Sequence, residues 1–111
     1  MIKHDIHLAK DNIKTALFYL HKCISEARRD NDRIVMFITG YGSKGNTHKI
    51  RTSVIEELEE LIKKNSIKCY ILGSDILELN EKYINFLKFM KNPIPNEMKS
   101  NNSSGVIYIK V

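Results

Sequence analysis

At 111 residues the chain suits one domain with a single core of two or three layers, which excludes a two-domain enzyme. With 42% hydrophobic and 28% charged residues it reads as a folded globular domain, and no apolar run approaches the roughly 20 residues that span a bilayer. A net charge of +5 and a pI near 9.2 favour a polyanionic partner, and the absence of a signal-peptide core behind Met1 points to the cytoplasm. Cys23 and Cys69 lie far apart inside apolar patterns without metal-ligand or redox spacing, so both read as reduced packing residues, with neither metal nor cofactor expected.

Residues 2–8 alternate, with Ile2, His4, Ile6 and Leu8 on one face and Lys3, Asp5 and His7 on the other, which predicts a short strand. His4 then faces the core as a structural residue. Ile13, Ala16, Leu17, Leu20, Cys23, Ile24 and Ala27 recur at three- and four-residue spacing, giving an amphipathic helix over 12–29 with Asp11 as N-cap and His21 on the solvated face. Five apolar residues from Ile34 to Ile38 read as a strand covered on both faces. A second helix follows over 47–64, with Ile50, Val54, Leu58, Leu61 and Ile62 inward, the acidic run Glu56-Glu57-Leu58-Glu59-Glu60 outward and Asn65 as its stop.

Residues 67–72 form a third strand whose apolar run suggests neighbours on both edges. Helical spacing returns over 80–91, where the Tyr83–Met90 face is packing, and Asn92-Pro93-Ile94-Pro95-Asn96 stops it. A closing strand over 106–111 alternates Ile107, Ile109 and Val111 against Val106, Tyr108 and Lys110, and should return antiparallel beside the third strand. The expected architecture is a single α/β domain, an α+β two-layer sandwich of order β-α-β-α-β-β on a mixed sheet, with residues 73–104 as an insertion carrying one extra helix.

The chemistry concentrates between Thr39 and Arg51. Gly40, Gly42 and Gly45 permit positive φ and close backbone approach at the start of a helix, whose free N–H groups attract anions. Thr39, Tyr41 and Ser43 share this loop, and Lys44, His48, Lys49 and Arg51 add positive charge, with no acid between Asp32 and Glu56. Phosphate is the natural ligand. Gly40-Tyr-Gly-Ser-Lys-Gly45 matches G-x-G-x-x-G, but it follows the second strand, the acid it needs would come from as far away as Asp75, and the strands for a second nucleotide half are missing. Read as a P-loop, the stretch carries Asn46 where the phosphate-binding lysine belongs.

Asp5-Ile6-His7 on the first strand and Thr39-Gly40-Tyr41-Gly42 after the second, separated by one amphipathic helix, resemble the L-D-x-H and T-G-x-G motifs of the Smr (small MutS-related) domain family. The resemblance spans residues 4–72 and resumes at Gly105. It implies a fold similar to the C-terminal domain of translation initiation factor 3, a DNA or RNA partner and, as reported for several members, nicking endonuclease activity. Two positions depart from the family pattern: His4 stands in place of Leu, and Leu8 in place of the glycine that follows the histidine.

Parallel strands end on one edge, so His7 and the Thr39–Gly42 turn should converge there. Asp5, roughly 6–7 Å from His7 by strand rise, would orient or charge the imidazole. His7 as proton carrier, the loop amides and Lys44, His48 or Arg51 would together supply a metal-free phosphodiesterase. Two other readings stay open: a non-catalytic nucleic-acid-binding module, motivated by Leu8, and a small nucleotide- or phosphoester-binding protein that uses the glycine loop. A monomer is expected.

Overall fold

The structure, a computed structural model, describes residues 1–6, 12–40 and 45–111, the side chains of 45–47 excepted. In chain order the elements are β1 (Ile2–Asp5), α1 (Ile13–Ala27), β2 (Ile34–Ile38), α2 (Gly45–Lys63), β3 (Cys69–Leu72), α3 (Gly73–Glu78), α4 (Glu81–Leu87), α5 (Asn96–Ser100) and β4 (Val106–Lys110). The sheet runs β1-β2-β4-β3. β1 and β2 are parallel, with Ile2 opposite Val35 and Asp5 opposite Ile38. β4 lies antiparallel to both β2 and β3, so the three earlier strands share one direction and the last runs against them.

The strand alternation divides two cores. Val35, Phe37, Ile107 and Ile109 face α1 and α2, whose Ala16, Leu20, Cys23, Ile24, Val54 and Leu58 are buried against them. Ile34, Met36, Val106 and Tyr108 point the other way, onto Ile76 of α3, Tyr83 and Phe86 of α4, and Met98 of α5. A strand buried on both faces loses the polar alternation of a one-sided strand, which is why β2 and β4 read as nearly continuous apolar runs. The helices of residues 73–104 are therefore the cover of a second sheet face. They number three where one was expected; Tyr83 and Phe86 pack as the Tyr83–Met90 reading required, while Leu87 and Phe89 of the same stretch stay exposed.

Local chemistry sets the boundaries. α1 is capped by Asn12, whose Oδ1 accepts from the Thr15 N–H at 2.9 Å; the expected cap, Asp11, lies outside the described residues, and Asn12 meets the same need one position on. α2 stops at Asn65, which takes φ 59°, while the N–H groups of Asn65 and Ser66 donate to the carbonyls of Ile62 and Leu61 in a Schellman arrangement. β3 is an edge strand among the described strands, against the expectation of neighbours on both edges. Its burial comes from above and below, and from the Tyr70 hydroxyl donating to Glu59 at 2.6 Å.

His4 faces the α1 side as predicted, and His21 is exposed as predicted, 3.5 Å from Glu57 across the α1–α2 contact. Both cysteines are free, and burial pushes each thiol up to about 11. Among the described residues no helix is long and apolar enough to cross a membrane, and no cluster of His, Cys, Asp and Glu has the makings of a metal site.

Candidate nucleic-acid interface

The parallel pairing of β1 with β2 brings their C-terminal ends to one edge. The Ile6 N–H donates to the Ile38 carbonyl at 3.1 Å, so the chain leaves Asp5 beside the point where it leaves β2 for Thr39. β4, running the other way, begins at that edge with Gly105 before it. Three strands thus present chain ends or starts together, and α1 and α2 both open from this side.

Gly105 closes the floor of the edge. Its carbonyl accepts from the N–H of Thr39 at 3.0 Å and of Gly40 at 3.1 Å. Thr39 is only 1% exposed, its hydroxyl donating to the Gly40 carbonyl at 3.1 Å. These two amides, expected as anion donors, are bonded within the fold. Gly40 takes φ 77°, a left-handed conformation that glycine adopts without Cβ strain, and this turns the chain toward α2.

Above this floor the first turns of α1 and α2 converge. Asn12, Ile13, Lys14, Lys49 and Ile50 line a cleft of about 310 Å³ between the two helix starts. Neither helix has an acidic residue in its first turn, and Lys14 and Lys49 add positive charge beside the positive ends of the two dipoles. Arg51, one turn beyond His48, is partly buried; its guanidinium donates to the Ser104 carbonyl at 3.0 Å, tying α2 to the loop before β4. Its Nε–H is buried with no acceptor among the described residues.

Of the predicted site residues, Asp5 is half-buried at the end of β1, Thr39 and Gly40 follow β2, Gly45 opens α2, and His48 and Lys49 are exposed on its early turns. His7, Tyr41, Gly42, Ser43 and Lys44 lie outside the described residues, as does Leu8. Lys14 was missed: a lysine near the start of an amphipathic helix reads as solvated face, and only the packing of α1 beside α2 brings it to Lys49. Asp75, the distant acid that the G-x-G-x-x-G reading would need, is a buried cap, accepting from the Leu72 N–H at 2.8 Å and from the Asn80 side chain at 2.7 Å.

Comparison with protein-family models, with curated proteins and with solved structures returned no match.

Proposed function

We propose that this protein binds the phosphate backbone of DNA or RNA at the edge where β1 and β2 end, and cleaves a phosphodiester there as an Smr-like nicking endonuclease. The observation that carries the reading is the shared cleft of α1 and α2, two helix starts without acids, with Lys14 and Lys49 on its rim. A polyanion meets fixed positive charge along this edge, and the first segment leading into it contains His7. In the reaction water attacks phosphorus, the P–O bond to the leaving nucleoside oxygen breaks, and His7 carries the proton, with Asp5 holding its charge and orientation. The Asp5-Ile6-His7 and Thr39-Gly40-Tyr41-Gly42 resemblance supports this assignment of roles, and a polynucleotide substrate is consistent with a cytoplasmic protein.

A binding module without turnover is favoured by one observation. The Thr39 and Gly40 amides are already engaged by Gly105, which leaves fewer donors for the charge that develops on a phosphorane. A nicking assay on supercoiled plasmid and on structured RNA separates the two. For the enzyme, His7→Ala lowers the rate by roughly 100-fold or more with affinity held within a few-fold. Equal cleavage by wild type and variant removes His7 from catalysis; binding without cleavage by either assigns the module.

A further inference from the structure

The outward face of α1 carries a feature that the loop-edge site does not use. Phe18 is 63% exposed there. A lone exposed phenylalanine is ordinary, but this ring is backed by an ordered series of others. It stands edge-on to Tyr19, with centroids 5.4 Å apart at 81°. Tyr19 stacks on His4 at 4.3 Å and 18°, and His4 stacks on Phe37 at 5.6 Å and 23°. Phe37 is fully buried in β2. Four rings therefore run from the centre of the sheet to the surface. His4 Nε2 is buried without a hydrogen-bond partner among the described residues, so this imidazole serves the series through its ring face.

Charge frames the outermost ring. Lys14 and Lys22 lie one helical turn to either side of Phe18, each about 6 Å away along the axis, and Lys22 Nζ sits 6.0 Å from the Tyr19 centroid. Lys14, Leu17, Phe18, His21, Lys22 and, beyond them, Glu26 border one shallow hollow, and Lys14 also borders the cleft of Lys49. The basic track of the loop edge thus continues along α1 as far as Lys22, one turn before Glu26. A single ring between two lysines is too small an apolar surface for a stable protein interface. It matches a unit that is aromatic at its centre and anionic at both ends.

The geometry points to an unpaired nucleobase stacked on Phe18, with Lys14 and Lys22 on the flanking phosphates, so that the preferred ligand is single-stranded or locally unpaired nucleic acid. Bases in a duplex have both faces covered, whereas splayed bases offer a face to an aromatic side chain. This rests on the loop-edge reading, since the strand continues from the cleft that Lys14 shares.

The test is fluorescence anisotropy with single-stranded DNA and RNA oligonucleotides and a DNA duplex of equal length, on wild type, Phe18→Ala, Phe18→Trp and Lys49→Ala. Phe18 is exposed, so the folded state should persist, and circular dichroism checks it. We expect single strands to bind more tightly than duplex, and Phe18→Ala to weaken single-strand binding by roughly 5- to 150-fold. Duplex binding should be unmoved and Phe18→Trp should retain the preference. Unchanged single-strand affinity in Phe18→Ala, with binding still reduced in Lys49→Ala, overturns the stacking platform and leaves the loop edge standing. Self-association that depends on Phe18, without single-strand preference, gives the face to a second copy and also overturns it. Failure of the wild type to bind any of the oligonucleotides overturns both readings.

Discussion

Gly40 and Gly105 lie backbone against backbone, so that a Cβ built on Gly105 would meet the Gly40 carbonyl carbon at 3.0 Å and its Cα at 3.2 Å. The contact joins the end of β2 to the start of β4 and sets the height of the floor beneath the two helix starts. Gly105→Ala should cost about 1–3 kcal/mol, as overpacking against backbone does. Gly73→Ala should cost more, because its Cβ would fall 2.3 Å from the Ser103 carbonyl oxygen. Urea denaturation of both variants gives the ranking; a Gly73→Ala protein as stable as wild type would show that the 101–103 loop yields freely.

Lys14 and Lys49 should act as backbone contacts, each adding to the salt dependence of nucleic-acid binding and neither to sequence preference. A Lys14→Ala/Lys49→Ala double variant should flatten the plot of log affinity against log salt by about one unit per lost contact. Titration over a range of salt concentrations measures it, and a slope equal to wild type would move the binding face away from this cleft.

Asp75 is the buried acid of the second cover, 7% exposed and holding both the end of β3 and the start of α4. Asp75→Ala leaves the Leu72 N–H without its acceptor and should destabilise by about 1–3 kcal/mol. Asn80→Ala removes the partner side chain and also the cap to the Tyr83 N–H at 3.2 Å. Because the two share one bond, the double variant should lose less than the sum of the singles; strict additivity by calorimetry would mean that Asp75 and Asn80 act separately.

The N-terminal ammonium lies 2.6 Å from Asp30 and 3.6 Å from Asp32. Its hydrogen bond to Asp30 holds that carboxyl below its ordinary 3.8, with the ammonium's charge adding to the effect. The stabilisation is fully present above pH 3.8 and is lost as pH falls from there through the lowered value in the folded state. With the pair partly exposed, its worth is about 1 kcal/mol or less. Asp30→Asn should therefore be less stable than wild type at neutral pH and converge with it in strong acid; parallel pH–stability curves would deny the linkage.

The readable parts of this chain were those with enough turns or enough apolar residues to show a period. Ile13, Ala16, Leu20, Cys23, Ile24 and Ala27 repeat over about four turns of α1, and β2 is apolar throughout, so both emerged with boundaries within two residues. Residues 73–104 did not. α3, α4 and α5 have six, seven and five residues, too few for a helical period to stand out, and α5 begins directly after Pro95, inside a stretch that reads as helix-breaking. The position of β3 at the sheet edge was hidden for another reason: its apolar run reflects cover above and below, which sequence does not distinguish from strands on either side. At the loop edge, the type of chemistry was legible from glycine and charge. The loss of the Thr39 and Gly40 amides to Gly105 was not, because it depends on a partner more than sixty positions away.

The placement of β4 has a consequence for how the protein is made. Val106–Lys110 pairs with β2 on one side and β3 on the other, so until that segment leaves the ribosome the sheet exists as two unjoined parts. β1, α1 and β2 can assemble early, but the open flank of β2 must wait through the synthesis of α2, β3 and three short helices before its partner arrives. Such long-range closure slows folding and leaves an apolar strand edge uncovered in the interval. The nascent chain is most exposed to aggregation, and most in need of a chaperone, between the emergence of β2 and the emergence of Val106–Lys110.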